Sequence, residues 1–326
     1  MNTRMRKRCP ILEVIEDSYI LPETGEPIQL LPYQRRILNH CFTEVTQGRG
    51  RPRRLPYRTV IISMPKKGGK TELASAITYA WTRVYGGEIY SCANDETQSK
   101  RRMYERLHEF LAWLYVHDND RYLDEVVDRT QDRIAFNGPE GVPSSTIRAL
   151  AIDPEGEAGA RNSLVVFDEL WGYSTGKAER FWSELQPIPT IPHSMRLVTT
   201  YAGFYGESEL LYSLYEQCVR PHPDTGEPQG ERIKELKDLP CYQYGSMFCY
   251  WDHEPRAPWL TPEFLLAAKN DPANKLRPSE YLRLWENRWT TGTEAFIDMD
   301  VFDRIAREGD EEGLYNHLER EVPWFG

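Results

Sequence analysis

Residues 59–71 read TVIISMPKKGGKT, and this stretch decides the fold. The run from Thr59 to Ser63 is short, apolar and β-branched, which is typical of a strand buried on both faces of a sheet. A turn rich in Gly and Lys follows, and residues 71–85 have the pattern of a helix that ends at Gly86 and Gly87. A strand, such a turn and a helix in this order predict a loop that binds phosphate through its backbone N–H groups.

The side chains of this loop predict how a nucleotide would be held. Lys70 is placed to reach the β- and γ-phosphates, and the hydroxyl of Thr71 is placed to ligate Mg²⁺. The general pattern G-x-x-x-x-G-K-[ST] is incomplete, because Met64 stands where the first glycine is expected. The predicted nucleotide contacts of the loop are Pro65, Lys67, Gly68, Gly69, Lys70 and Thr71.

A second strand ends in two acids. The apolar residues 164–167 are followed directly by Asp168 and Glu169. A carboxylate at the end of a buried strand is where a phosphate-loop enzyme holds Mg²⁺, so Asp168 is predicted as the metal ligand. Glu169 is then predicted to orient and deprotonate the attacking water. Together with the phosphate loop, the pair predicts ATP hydrolysis that depends on Mg²⁺.

Predicted strands and helices alternate from residue 59 to residue 220. Strands are predicted at 59–63, 88–93, 126–136, 146–151, 163–167 and 196–200, and helices at 71–85, 95–115, 178–185 and 207–218. This order favours an α/β P-loop NTPase of the RecA/ASCE type, with a mainly parallel sheet and helices on both faces. Beyond residue 220 the alternation stops, and only a lone strand (242–251) and two helices (262–269 and 278–289) are predicted. We therefore divide the chain into an N-terminal segment (1–58), an ATPase core (59–220) and a remainder with a helical linker (221–326).

Composition excludes several classes of protein. The 326 residues are 40% apolar and carry 40 Lys and Arg against 50 Asp and Glu, which excludes intrinsic disorder. The longest apolar runs are far too short to cross a membrane. Six scattered cysteines predict reduced thiols and no structural metal. Residues 1–70 hold 14 Lys and Arg against 6 acids, with the densest run at 49–58. That run, like Lys100-Arg101-Arg102, is either a DNA phosphate contact or a solvated basic segment.

At the level of motifs, the sequence resembles the large terminase subunit of tailed bacteriophages, the motor that packages double-stranded DNA into procapsids. The resemblance rests on a phosphate loop without a leading glycine, the Asp168-Glu169 pair and the Thr199-Thr200 segment, in that order. Residues 286–289, Glu-Asn-Arg-Trp, are similar to the N-x-W element of that family. The resemblance implies ATP and Mg²⁺ as cofactors and work in the cytoplasm of an infected bacterium. It also implies double-stranded DNA, portal protein, procapsid and small terminase subunit as partners, and a pentameric ring.

The resemblance also assigns roles to individual residues. Tyr33 and Gln34 match the adenine-contacting element, and Lys66 stands where the family has a basic residue that senses the γ-phosphate. Thr199 and Thr200 match the motif that couples hydrolysis to movement. Arg161 resembles the arginine finger that would complete a neighbouring subunit's site. The rival candidates for that finger are Arg148, Arg180 and Arg196.

The family usually continues into a metal-dependent nuclease domain, and here the sequence differs. The last residues are rich in acids but show no buried strand with a carboxylate pair, so we expect no nuclease domain and no nuclease activity in this chain. These acids are Asp298, Asp300, Asp303, Glu308, Asp310, Glu311, Glu312, Glu319 and Glu321.

Two other functions fit parts of the pattern. A helicase-like DNA-dependent ATPase has comparable motifs in the same order, but it normally closes its site with a second RecA-like domain, and no second series of strands and helices follows residue 203. A nucleotide-gated assembly module with little turnover would not need the water-activating Glu169.

Overall fold

A ten-stranded sheet forms the centre of the structure, a computed structural model that describes residues 9–46, 48, 52–92, 102–150, 161–174, 176–222 and 225–292. The strands of the chain are β1 (Ile20–Leu21), β2 (Glu26–Pro27), β3 (Val45–Thr46), β4 (Arg53–Arg54), β5 (Thr59–Ser63), β6 (Gly87–Cys92), β7 (Val126–Arg129), β8 (Arg133–Phe136), β9 (Ser145–Leu150), β10 (Asn162–Asp168), β11 (Met195–Thr200), β12 (Glu231–Arg232), β13 (Cys241–Tyr244) and β14 (Met247–Trp251). The sheet has the order β12-β13-β14-β5-β11-β10-β6-β9-β8-β7, and β1 with β2 and β3 with β4 form two small ribbons.

The six central strands of this sheet are parallel. β14, β5, β11, β10, β6 and β9 pair in parallel, and antiparallel strands extend the sheet at both edges. β11 lies between β5, which leads into the phosphate loop, and β10, which ends in the two acids. Because parallel strands have their carboxyl ends at one edge, this order brings Ser63, Asp168 and Thr200 to the same side of the sheet. The predicted α/β fold with a mainly parallel sheet is confirmed.

Helices cover both faces of the sheet. They are α1 (Pro10–Ser18), α2 (Pro32–Phe42), α3 (Lys70–Val84), α4 (Met103–His117), α5 (Asn119–Glu125), α6 (Gly176–Glu184), α7 (Glu209–Cys218), α8 (Pro262–Asn270) and α9 (Pro278–Trp285). Alternate side chains of a strand point to opposite faces, so Val60 and Ile62 pack with residues of α1 to α4, whereas Ile61 packs with residues of α6 and α7. The central strands are therefore buried on both sides, as their continuous apolar runs predict.

Most predicted elements agree with the structure, but two predicted strands are hairpins and some elements were not predicted. The predicted strand 126–136 is a hairpin of β7 and β8, and the predicted lone strand 242–251 is a hairpin of β13 and β14 with a turn at Gly245, whose φ is +57°. The helix α1, whose Ile11 and Ile15 are fully buried, was not predicted. The predicted helix 95–115 is described only from Met103, since residues 93–101 lie outside the described part of the chain.

The strand β14 shows how residues after 220 join the core. β14 pairs in parallel with β5, so it is the neighbour of the strand that leads into the phosphate loop. Trp251 of β14 stacks on Trp289 with ring centroids 5.8 Å apart, and both pack in the same core cluster as Ile61. This part of the chain is thus continuous with the central sheet.

Asn287 connects the end of the sheet to the segment after α9. Its Oδ1 accepts hydrogen bonds from the backbone N–H of Ala202 (2.7 Å) and from the Ser63 hydroxyl (3.1 Å), and its Nδ2 donates to the carbonyl of Asp252 (2.9 Å). The side chain is completely buried and its φ is +52°, a conformation that asparagine tolerates better than most residues. One amide therefore joins β5, the end of β11 and the segment after β14.

We expect Asn287→Ala to be strongly destabilising. It leaves buried groups without partners, which costs on the order of 3 kcal/mol in the free energy of unfolding. Urea denaturation followed by circular dichroism measures the loss. The matched control is Asn274→Ala, because Asn274 is exposed and makes one 3.2 Å bond to Ala268, so its change should stay within about 0.5 kcal/mol. Equal losses of stability in the two variants would contradict the role of Asn287 in joining these parts of the chain.

All six cysteines are buried free thiols. None of the described helices is long and apolar enough to cross a bilayer.

Part of the basic run 49–58 has a structural role, because the guanidinium of Arg58 donates to the carbonyls of Ile191 (3.2 Å) and Ser194 (2.8 Å). Arg49, Arg51, Lys100 and Arg101 lie outside the described residues, and a DNA contact by these segments stays a prediction.

Candidate active site

The phosphate loop connects β5 to α3 by a turn that needs glycine. Gly69 precedes α3 with a φ of +87°, and Lys67 has a φ of +66°. A Cβ on Gly68 would lie 2.7 Å from Met64 Sδ and 3.1 Å from the Pro65 carbonyl oxygen, so a larger residue does not fit there. The loop thereby reaches the N-terminus of α3, where unpaired backbone N–H groups and the helix dipole favour a phosphate.

Met64 explains why the first glycine of the general pattern is dispensable here. Its side chain is buried, packs against the position of Gly68, and accepts a hydrogen bond at Sδ from the Tyr33 hydroxyl (3.7 Å). Its backbone N–H donates to the carbonyl of Thr200 on β11 (3.3 Å). The buried side chain of Met64 therefore supports the phosphate loop.

Lys70 is a buried cation at the start of α3. Its side chain is 5% exposed, and its Nζ lies 3.6 Å from Glu169 Oε1 and 4.5 Å from the centroid of the Tyr201 ring. The partly exposed Arg102 also approaches Glu169, with Nη1 3.5 Å from Oε1. The two motifs predicted from the sequence thus meet directly, through Lys70 and Glu169.

Asp168 ends β10 with one satisfied and one unsatisfied oxygen. Its Oδ1 accepts a hydrogen bond from the Thr199 hydroxyl (2.9 Å), whereas the buried Oδ2 has no partner in the described part of the structure. Burial raises the pKa of this carboxyl, and the negative charge of Glu169 raises it further. A divalent cation at Oδ2 would remove both causes, because it supplies the missing partner and a compensating charge.

The side chains near Asp168 Oδ2 suit Mg²⁺ better than they suit a metal ion that is coordinated only by protein side chains. Among the described residues, no three His, Cys, Asp or Glu side chains are grouped as a metal site. Mg²⁺ is commonly bound by one or two protein oxygens together with phosphates and water. Asp168 and the hydroxyl of Thr71, at the N-terminus of α3, are the side chains that would hold it.

Glu169 has a strained backbone and a fixed side chain. Its φ is +55° and its ψ is +52°, a left-handed conformation that is unfavourable for a residue with a Cβ and is often found at functional sites. Its backbone N–H donates to the Thr199 carbonyl (2.7 Å), and its Oε2 accepts a hydrogen bond from the indole of Trp171 (2.8 Å). The carboxylate is therefore held by an indole on one oxygen and by two cations on the other.

The predicted adenine-contacting residues, Tyr33 and Gln34, are both buried, and an unpredicted tryptophan lies near them. Tyr33 is buried under the loop and stacks on Tyr250 at 5.8 Å, so it supports Met64. Gln34 uses its Oε1 to accept from the backbone N–H of Leu31 (2.8 Å), and its Nε2 lies 3.9 Å from where a Cβ of Gly69 would stand. Trp259 lies at the same distance from that point, is 55% exposed, and donates from its indole to the Lys67 carbonyl (2.8 Å).

Lys66 and Thr200 connect the loop to its surroundings. The backbone N–H of Lys66 donates to the Leu284 carbonyl of α9 (2.6 Å). Burial lowers the pKa of its side chain, and the charges of Lys67 and Arg283 lower it further. The Thr200 hydroxyl accepts from the backbone N–H of Trp171 (3.3 Å) and donates to the Tyr201 carbonyl (2.9 Å). Sensing by Lys66 and coupling by Thr199 and Thr200 stay predictions.

The arginine-finger candidates differ in accessibility. Arg161 is exposed just before β10, and Arg180 is exposed on α6. Arg148, on β9, has its guanidinium 6.0 Å from the ring centroid of Tyr90. Arg196 is buried over Trp182 at 4.1 Å and donates to the Leu185 carbonyl (3.1 Å), and burial lowers its pKa to about 10. The guanidinium of Arg196 is thus occupied within its own chain, whereas the side chains of Arg161 and Arg180 are exposed.

Sequence reasoning missed four residues of this site. Arg102, Trp171, Tyr201 and Trp259 contact Glu169, Lys70 or the phosphate loop. Trp171 and Tyr201 directly follow predicted motifs, so their proximity in sequence was a usable signal. Arg102 and Trp259 are brought to the site only by the tertiary fold.

Comparison with known proteins gives a result at the level of the fold. No protein-family model and no curated protein matches the sequence. The large terminase of bacteriophage HK97 superposes with a TM-score of 0.50 at 15% identity, over 86% of this chain and 55% of that chain. The large terminase ATPase domain of Thermus phage P74-26 gives a TM-score of 0.48 at 13% identity, over 71% of this chain and 88% of that one.

The chain thus spans about half, 55%, of the length of the HK97 protein. At 15% identity the similarity concerns architecture, and it extends over 86% of this chain. The resemblance predicted from the motifs is therefore confirmed at the level of the fold, which this chain shares with the large terminase of a tailed phage.

Proposed function

We propose that this chain is the ATP-hydrolysing motor domain of a DNA-packaging terminase, which couples ATP hydrolysis to movement of double-stranded DNA into a procapsid. The observation that carries the proposal is the meeting of Lys70, Asp168 and Glu169 at the carboxyl edge of one sheet. The similarity to the HK97 large terminase supports the choice of this motor over other P-loop enzymes.

The residues of the site supply the steps of hydrolysis. The loop and the N-terminus of α3 bind the triphosphate, and Lys70 exchanges its contact with Glu169 for one with the phosphates. Glu169, released from that cation, accepts a proton from the attacking water while the indole of Trp171 keeps its carboxylate oriented. Mg²⁺, held by Asp168 and Thr71, would neutralise charge on the phosphate oxygens.

Assembly and partners follow from the same proposal. The motor works as a homo-oligomeric ring, a pentamer, in the cytoplasm of an infected bacterium, with portal protein, procapsid and small terminase subunit. The exposed Arg161 completes the site of a neighbouring subunit. If so, specific ATPase activity rises with protein concentration in the wild type and is lost in Arg161→Ala. Activity that is independent of concentration and of Arg161 would contradict this assignment.

Displacement of a triplex-forming strand from a long duplex tests DNA movement. A translocating motor strips the third strand without separating the duplex, and it does so only with hydrolysable ATP. Strand separation on a tailed duplex would favour the helicase-like alternative, and DNA binding without turnover would favour the assembly module. Nuclease activity, which we propose is absent from this chain, is checked on the same DNA in the presence of Mg²⁺ or Mn²⁺.

The hydroxyl of Thr199 is expected to control the use of Mg²⁺. Thr199→Val removes the 2.9 Å bond to Asp168 Oδ1 with little change of shape, so the concentration of Mg²⁺ for half-maximal ATPase activity should rise about 10-fold. Thr78→Val is the control, because that buried hydroxyl bonds only within α3, to the Ala74 carbonyl. An unchanged Mg²⁺ requirement in Thr199→Val would contradict the role of Thr199 in orienting Asp168.

Trp259 is expected to contact the adenine of bound ATP. Its exposed indole and Gln34 each lie 3.9 Å from where a Cβ of Gly69 would stand, and stacking on an aromatic ring is worth about 1–3 kcal/mol per base. Trp259→Ala should therefore weaken ATP binding about 10-fold and leave binding of inorganic tripolyphosphate unchanged, as measured by calorimetry. Trp259→Phe retains a ring and should bind ATP nearly normally. Equal loss for both ligands in Trp259→Ala would mean that Trp259 supports the loop instead.

A further inference from the structure

Arg283 is a buried arginine that the mechanism above does not use. It lies on α9 and is 6% exposed. Its guanidinium carbon is 4.5 Å from the ring centroid of Trp171, 5.1 Å from that of Tyr201 and 4.3 Å from that of Phe204. Within the described residues, its Nε and Nη1 have no hydrogen-bond partner and no carboxylate forms an ion pair with it, whereas Tyr201 is a hydrogen-bond partner of its side chain.

Such a charge is not explained by stability. Burying a charge without an acidic partner is unfavourable, and an apolar side chain of similar length at the same place is often as stable or more so. Contacts with aromatic rings recover part of the cost, about 0.5–2 kcal/mol each. The reason for a buried guanidinium at this position therefore lies in the groups that it contacts.

Two of the three rings under Arg283 also contact the catalytic groups. The Trp171 indole donates to Glu169 Oε2 at 2.8 Å, and the Tyr201 ring lies 4.5 Å below Lys70 Nζ. We call Trp171, Tyr201 and Phe204 the aromatic clamp. Trp171 and Tyr201 also stack on each other at 5.7 Å, so movement of one ring disturbs the other.

The helix that carries Arg283 is attached to the phosphate loop. The residue after it, Leu284, accepts at its carbonyl the hydrogen bond from the backbone N–H of Lys66 (2.6 Å). Asn287, shortly after the helix, bonds to Ser63 and Ala202, which flank the loop on β5 and at the end of β11. Arg283 therefore contacts the clamp from a helix whose position the loop determines.

We propose that Arg283 is a positioning residue, which fixes the aromatic clamp and thereby holds Glu169 and Lys70 in the alignment that hydrolysis requires. This inference rests on the proposed ATPase function. The sequence predicted α9 only as part of a helical linker. The proposal gives this helix an influence on the rate of the chemical step.

The test compares Arg283→Met with Arg283→Lys in steady-state ATP hydrolysis and thermal unfolding. Methionine keeps the unbranched aliphatic part of the side chain but lacks the charged guanidinium, so the melting temperature should change little. We expect kcat to fall about 10- to 100-fold, as for small misplacements of catalytic groups, with KM for ATP little changed. Lysine retains the charge but not the planar stacking of the guanidinium, and it should restore part of kcat. A wild-type kcat in Arg283→Met, or a kcat that falls only with the melting temperature, would overturn the proposal.

A double-mutant cycle with Trp171→Phe shows whether Arg283 acts through the clamp. Trp171→Phe keeps a ring but loses the N–H that binds Glu169. If Arg283 works through Trp171, the double variant is no slower than the slower single variant. Losses that multiply would overturn the proposal. A wild type without ATPase activity would defeat the proposed function itself, whereas an active wild type with an indifferent Arg283→Met would defeat only this inference.

Discussion

Glu169→Gln is expected to stop ATP hydrolysis while leaving ATP binding intact. The amide keeps the shape of the side chain but cannot accept the proton of the attacking water, so kcat should fall by about 10² to 10⁴. The loop, Lys70 and the N-terminus of α3 are unchanged, so the affinity for MgATP should stay near that of the wild type or increase, because the pairing of Lys70 with Glu169 is lost. Phosphate release and calorimetric binding measure the two quantities separately.

The matched control for this substitution is Glu184→Gln, at the exposed end of α6 and away from the sheet edge that carries the site. It should hydrolyse ATP at the wild-type rate. If Glu169→Gln retained substantial turnover, another group would be activating the water and the assignment of Glu169 would be wrong.

Lys70→Met is expected to abolish productive binding of the triphosphate. Lys70 is the buried cation at the N-terminus of α3, and its only ion-pair partner among the described residues is Glu169. Without it the phosphates lose a charge-assisted hydrogen bond in a site shielded from water, worth about 1.5–3 kcal/mol in binding. We expect ATP affinity to fall about 10- to 100-fold, and kcat to fall as well because Lys70 stabilises charge on the γ-phosphate.

The stability of Lys70→Met separates this effect from unfolding. The apolar side chain can still pack against the Tyr201 ring, but Glu169 loses a buried partner, so a modest decrease in melting temperature is expected. Lys275→Met is the control, since Lys275 is exposed beyond α8. Normal ATP affinity in a folded Lys70→Met protein would contradict the phosphate-binding role of the loop.

The central part of the fold was predictable because its strands are buried on both faces. Continuous apolar runs such as 59–63 and 164–167 are local signals, and the alternation with helices sets the class of fold. The hairpin of β13 and β14 was not predictable in the same way. Its residues 241–251 are mostly aromatic and apolar, and the conformation of Gly245 and the pairing of β14 with β5 reveal two strands.

The candidate site was predictable where chemistry is encoded in adjacent residues. The GGKT turn and the Asp168-Glu169 pair are local motifs, and the sheet order then brings Lys70 within 3.6 Å of Glu169. Arg102, Trp259 and Arg283 have no such motif. They reach the site because α4, the segment before α8 and α9 pack around the same edge of the sheet, which depends on contacts between residues far apart in the chain.

Phosphate release by the wild type, measured with MgATP at increasing protein concentration and with or without long double-stranded DNA, tests the central claim most directly. Glu169→Gln and an EDTA-treated sample provide the background. We expect Mg²⁺-dependent turnover well above both backgrounds, with specific activity that increases with protein concentration and with DNA. Turnover no higher than in Glu169→Gln at every concentration, with and without DNA, would contradict it.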